Sequence, residues 1–243
     1  GIFSVSAQTP GQIFAPANNA ASKAILDSLS NGWISQSTSG FTSSIIDESE
    51  EFDYAGWQVI YHEEMEPDAD LQTGSTCGPT EIVDNPNTHK HAAYFRIVDP
   101  NGTMGDGDEL IVFRMRIASN PGNAAYGYSF LLDTDNKIGT ADPNYVSGNP
   151  GFEIEVLYAS GNSNGVEVND VDGVSAANQI TNLASYSTYT NHQRAYALHN
   201  NCTGSNDPIF IDFYCSFADM GITVNTPLRM CFASSSSASS ALG

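Results

Sequence analysis

Basic residues are scarce in this 243-residue chain. Lys and Arg together number 8, against 28 Asp and Glu, and the formal net charge is -20. Phosphate-rich partners are held by clustered cations, so nucleic acid and anionic membrane surfaces are excluded as partners. Only Arg114 and Arg116 stand close together in the sequence. Long apolar runs are also missing. A membrane helix needs about 18 consecutive apolar residues, and no stretch approaches that, so no membrane insertion is expected. No two cysteines have CxxC spacing, which argues against a zinc knuckle. There is no GxSxG, no P-loop and no GxGxxG. "HEEME" at 62–66 lacks the second His of a HExxH motif. An acid pair for glycoside hydrolysis stays open because its spacing is spatial rather than sequential. With 28 acids in the chain, that pattern by itself decides nothing.

What is present points outside the cell. Residues 1–7, "GIFSVSA", read as the remnant of a signal peptide with a small-x-small site at Val5-Ser6-Ala7. An ordinary first strand is the other reading. The expected localisation is secreted or cell surface. The 4 cysteines, Cys77, Cys202, Cys215 and Cys231, fit an oxidising compartment. Cys215 lies in the apolar "IFIDFYCSF" and Cys231 in "PLRMCFA", segments that can face each other on neighbouring strands. Cys77 and Cys202 lie in polar loops. The expected disulfides are Cys215–Cys231 and Cys77–Cys202, with buried thiols as the alternative.

Residues 8–50 form a polar N-terminal extension. One short helix is expected at Ala20–Ser30, where Ala21, Ala24, Ile25 and Leu29 recur at helical spacing and Gly32 follows as a stop. From Trp57 the apolar period becomes two. "WQVIYHE", "AAYFRIVD", "ELIVFRMRIA", "GYSFLLD", "GFEIEVLYA", "GVEVNDV", "RAYALH", "IFIDFYCSF" and "PLRMCFA" read as strands between Gly, Pro, Asn and Asp clusters. The expected fold is all-β, an antiparallel β-sandwich or jelly roll, over residues 51–233. Alternation puts Ile111, Phe113, Met115 and Ile117 on the core face of their strand. It puts Phe152, Ile154 and Val156 inward, and Glu153 and Glu155 outward. Residues 234–243, nearly pure Ser and Ala, read as a linker or the start of a next segment.

One stretch invites a metal. In "LLDTDNKIGTAD", Asp133, Asp135, Asn136 and Asp142 offer side-chain oxygens to a hard cation such as calcium, and Gly139 allows a sharp turn. Lys137 stands where a full calcium loop has another carboxylate. An Asx-turn explains the same residues without an ion, and both readings stay open. Glu153 and Glu155 can approach this loop if "GFEIEV" pairs with the preceding strand. Asp106, Asp108 and Glu109 form a second acidic turn, and Asp170 and Asp172 a third. All three can converge at one end of a sandwich, where loops cluster. His89 and His91 share a strand face without a third ligand at telling spacing. Trp33, Trp57, Tyr126, Tyr145, Tyr158, Tyr186 and Tyr189 are candidates for sugar stacking or for the core and its rim.

The segments "GDGDELIVFRMRIA", "GYSFLLDTDNKIGTADPNYVSGNPGFEIEV", "VNDVDG" and "FIDFYCSFADMGITVNTPLRMCFASS" resemble an N-terminal domain of large secreted surface proteins of Bacteroidota-type bacteria, exported by the gliding-associated route. The likeness runs over residues 20–243. It implies a non-catalytic surface module of an adhesin-like protein. Its implied partners are surface glycans or other cell-surface proteins. The family usually has apolar residues where Cys215 and Cys231 stand, which supports their pairing here. The family's DxNxDGxxS stretch is matched by Asp27 to Ser35, but Leu29 replaces a ligand and Thr38 stands at the twelfth position, which favours a plain turn. A distant likeness to DOMON and family-9 carbohydrate-binding modules rests on "LLDTD". It gives a carbohydrate-binding module as the alternative, and a secreted hydrolase is the third reading.

Overall fold

The computed structural model describes short strands at 12–14, 33–35 and 45–46, then residues 58–60, 77–83, 92–99, 102–121, 124–161, 165–176, 179–186, 192–197 and 208–242. The strands are β1 (Gln12–Phe14), β2 (Trp33–Ser35), β3 (Ile45–Ile46), β4 (Gln58–Val59), β5 (Ala93–Val98), β6 (Leu110–Ile117), β7 (Gly127–Asp133), β8 (Ile154–Ala159), β9 (Val166–Asp170), β10 (Thr181–Ser185), β11 (His192–Ala197), β12 (Ile209–Ser216) and β13 (Arg229–Ser235). They build a two-stranded ribbon, β1-β2, and two larger sheets. One sheet has five strands in the order β10-β9-β8-β7-β13, and the other has six in the order β3-β11-β12-β6-β5-β4. Pairing is antiparallel except where β3 runs parallel to β11. Among the described residues, helix is confined to the 3-10 turn Gly139–Ala141. The helix expected at Ala20–Ser30 lies outside the described residues.

The two sheets share one apolar core. Ile111, Phe113, Met115 and Ile117 line it from β6, as alternation requires, and Ile154 and Val156 line it from β8. Phe113 stacks on Phe130 of β7 with ring centroids 4.5 Å apart, and Phe213 of β12 lies 5.5 Å from Phe130. Such aromatic pairs each contribute about 0.5–1.5 kcal/mol beyond the area they bury.

Alternation also decides the cysteines. Cys215 is buried in the core from β12, and Cys231 is exposed on β13. Met230 and Phe232 turn inward against the core, so Cys231 between them must turn outward. The expected Cys215–Cys231 bridge is therefore wrong: the two thiols sit on different sheets, and one faces away from the other. Cys77 is disulfide-bonded, and Cys202, its expected partner, lies outside the described residues.

Both faces of each sheet are covered at their centres. Glu155, expected to face outward into solvent, is fully buried. The C-terminal segment folds back over it: the Ala241 amide donates to its Oε1 at 2.8 Å, and Ser129 Oγ donates to the same oxygen at 2.7 Å. Gly127 makes room for this strap, because a Cβ there would lie 2.6 Å from the Ser239 carbonyl oxygen. Ser234 and Ser235, expected to begin a linker, continue β13 opposite Tyr128 and Gly127. β10, "TNLAS", is mostly exposed and lacks apolar alternation, which hid it from the sequence.

Candidate functional site

Within each sheet the registers set loops side by side. Val98 pairs with Leu110, Leu110 with Ser216, Asp133 with Arg229, and Ile154 with Asp170. The loops β5–β6, β7–β8, β9–β10 and β12–β13 all start from these residues. The three acidic turns of the sequence lie on them. A cavity of about 130 Å³ joins the first turn, through Gly105, Gly107 and Glu109, to residues 217–225 of the β12–β13 loop.

The central cluster is Asp133, Asp135 and Glu153, whose nearest carboxylate oxygens lie within 4.8 Å of one another. Each is placed by a different local rule. Asp133 is the last residue of β7 and is 1% exposed. Its Oδ1 accepts the amides of Asp135 at 3.1 Å and Asn136 at 2.7 Å, which is an Asx-turn. Its Oδ2 is buried, accepts no hydrogen bond, and faces Arg229 Nε at 3.4 Å. Asp135 accepts the Lys137 amide at 2.9 Å and pairs with the Lys137 ammonium. Glu153 precedes β8 and reaches back across the hairpin, where its Oε2 accepts from Thr134 N at 2.6 Å and Thr134 Oγ1 at 3.0 Å.

The electrostatics follow from these contacts. The bond from Lys137 lowers the Asp135 carboxyl below its ordinary range, and Asp135 raises the Lys137 ammonium in return. Partial burial raises Glu153. The donors on Thr134 oppose that shift, while the charges of Asp133 and Asp135 add to it. Lys137 is therefore an internal counter-ion on the rim of the cluster. An incoming cation would compete with it for Asp135.

The other two expected ligands have partners of their own. Asn136 adopts a left-handed backbone at φ 66, and its Oδ1 accepts from Arg229 Nε at 2.7 Å. Asp142 is buried and accepts the Asn144 amide at 2.5 Å. Its Oδ2 packs over Gly151, where a Cβ would lie 2.9 Å away and where φ is +123. Glu153 stands beside Asp133 and Asp135. Its approach is legible in the sequence as the start of the strand after the loop, whereas Arg229, nearly a hundred residues on, carries no local signal.

The flanking turns are built by their own backbones. Glu109 is 2% exposed and its carboxylate accepts the amides of Gly105 and Gly107, the latter at 3.1 Å. Asp108 beside it is raised by burial and by Asp106. In the third turn Asp170 accepts the Asp172 amide at 3.0 Å, and Asp172 accepts Asn144 Nδ2 at 2.6 Å, which ties this turn to the β7–β8 loop. Of the aromatic candidates, Tyr158 is buried, Tyr126 and Tyr186 pack partly on the core, and Tyr145 on the β7–β8 loop is 47% exposed. The side chain of Trp33, and Trp57, Tyr189, His89, His91 and the Asp27 to Thr38 stretch beyond β2, lie outside the described residues.

No family model, curated protein or solved structure matches this chain.

Proposed function

We propose that the protein is a non-catalytic extracellular surface module with a β-sandwich architecture, whose acidic loop end takes a divalent cation. The observation that carries this reading is the convergence of Asp133, Asp135 and Glu153, with Asp133 Oδ2 buried and accepting no hydrogen bond. Hard cations take six to eight oxygens, and these three carboxylates begin such a shell, with backbone carbonyls and water to complete it. Calcium is the ion we assign, in a structural role. The paired sheets around a single aromatic core support the sandwich reading. The order of motifs along residues 20–243 supports an adhesin-like secreted protein facing surface glycans or other cell-surface proteins. A hydrolase is disfavoured: the cavity at Glu109 has that carboxylate committed to backbone amides, and a second cleft of about 200 Å³ is lined by Val59, Ile60, Phe95, Leu228 and Met230.

The test is a melting curve with calcium and with EDTA. A ligand at a hundredfold excess over its Kd stabilises by roughly 2.7 kcal/mol, so the Tm is expected to rise by several degrees in calcium. An equal Tm in both buffers would defeat the cation reading. A second reading, a carbohydrate-binding module, is favoured by Tyr145, an exposed aromatic on the same loop as the acidic cluster. A glycan array in calcium separates the two: binding that is lost in Tyr145→Ala supports the module, and silence across polysaccharides counts against it.

A further inference from the structure

We propose that Arg229 gates the cation site: its guanidinium holds oxygens that the ion needs, and the ion binds by taking its place. The inference rests on the cation reading of the Asp133 cluster. It adds to that reading a resident competitor and the oxygens of Asn136.

Arg229 opens β13 and stands opposite Asp133, the last residue of β7. Its head group reaches past that rung into the β7–β8 loop. Nε donates to Asn136 Oδ1 at 2.7 Å, and Nη2 donates to the Asn136 carbonyl oxygen at 2.7 Å and to Oδ1 as well. Asp133 Oδ2 lies 3.4 Å from Nε. One planar guanidinium thus gathers a carboxylate oxygen, an amide oxygen and a backbone carbonyl oxygen. Hard cations take that same mixture. The loop backbone is already set for it: Asn136 is left-handed at φ 66, and its amide donates to Asp133 Oδ1 at 2.7 Å. Asp133 is 1% exposed, and its Oδ2 accepts no hydrogen bond. A buried carboxylate oxygen without a donor is costly, and a single charge at 3.4 Å offsets only part of that cost.

Charge makes the exchange a replacement rather than an addition. The carboxylates of Asp133, Asp135 and Glu153 meet within 4.8 Å, and they already have Arg229 at Asp133 and Lys137 at Asp135. A dication added to both basic groups would overcharge the cluster, so one of them has to leave. Lys137 competes for Asp135 alone, whereas Arg229 stands on the approach to the buried Asp133 Oδ2 and holds both oxygens of Asn136. The Arg229 side chain is 49% exposed. An ion pair so open to water is screened and contributes little net stability, so the arginine can swing out into solvent. In the exchanged state the ion holds Asp133 Oδ2 and Asn136 where Arg229 did. The side-chain tie between β13 and the β7–β8 loop is released, and a basic group is presented on an otherwise acidic chain.

The test titrates calcium into the full chain by calorimetry and follows the Arg229 Nε–H resonance by NMR in the same buffer. Calcium is expected to bind the parent and to move that resonance to the position of a solvent-exposed guanidinium. Arg229→Met is expected to bind calcium roughly tenfold more tightly, a usual size for coupling between ligands that exclude each other. Arg229→Lys keeps the charge but loses the fork that spans the three oxygens, and is expected to bind roughly fivefold more tightly. Asn136→Gly, made in the Arg229→Met chain, keeps the left-handed backbone and is expected to weaken binding, because a ligand oxygen is gone. Calcium binding that leaves the Nε–H resonance in place overturns the proposal without any variant, and the cation reading survives it. An Arg229→Lys chain with the parent's affinity also overturns it, because net charge alone would then explain Arg229→Met. Calcium that binds neither the parent nor Arg229→Met defeats the cation reading and the gate together. Binding by Arg229→Met with none by the parent supports the gate.

Discussion

Individual residues at the loop end do more than one job. Asp133 closes an Asx-turn with one oxygen and leaves the other buried toward Arg229. The choice between a turn and a metal site is therefore not exclusive: the turn uses Oδ1, and Oδ2, beside Arg229, accepts no hydrogen bond. Lys137 is the residue that competes with an ion. Lys137→Gln is expected to tighten calcium binding, read as a larger Tm increment per added calcium, because Asp135 no longer has an internal ammonium partner. An unchanged increment would mean that Lys137 does not occupy the cation's position. Asp133→Ala is expected to cost about 1–3 kcal/mol in urea unfolding even in EDTA, since two backbone amides lose their acceptor. Gly127 works by size alone. Gly127→Val should force the Ser237 and Ser239 carbonyls away and unseat the C-terminal strap, measured as faster amide exchange at Ala241.

At the level of elements, the strands carry most of what the sequence could announce. β6 shows why: period two alone puts Ile111, Phe113, Met115 and Ile117 on one face, and that face is the core. The same alternation, applied to β13, puts Met230 and Phe232 inward and Cys231 outward, which removes the expected bridge. Native-state alkylation followed by peptide mapping should label Cys231 and spare Cys215, which burial raises and shields; Cys215 should be labelled only after unfolding. A native Cys215 adduct would contradict the packing. Glu155 shows the limit of alternation. Period two says which side of the sheet it is on, but nothing in β8 says that residues far along the chain will cover that side.

For the whole molecule, the acidic surplus has a direction. Two acidic turns share one end of the five-stranded sheet, and the buried arginines share one face of the six-stranded sheet. The cation proposal then has a pH signature. Glu153 is raised above the ordinary Glu range, so the folded state holds its proton more tightly than the unfolded chain does. As pH rises through that window, Glu153 ionises at a cost to the fold, and calcium offsets the cost by binding the ionised form. Calcium affinity is therefore expected to fall as pH drops through the upper carboxylate range. Glu153→Gln should flatten that dependence, as measured by calcium titrations of Tm at several pH values. A dependence that persists in Glu153→Gln would place the titrating group elsewhere.

Composition and period by themselves determined that the chain is mainly β, the strands β4 to β9 and β11 to β13, which face of β6 is the core, and that Asp133 and Asp135 share a turn. These properties are local: they depend on residues within one strand or one loop of each other. Tertiary structure alone decided that Arg229 backs Asp133 from the far end of the chain. It also decided that Cys215 and Cys231 sit on different sheets and that a Ser/Ala tail covers Glu155. Each of these depends on which strands become neighbours, and that is set by the closing of two sheets around one core rather than by any stretch of sequence read alone.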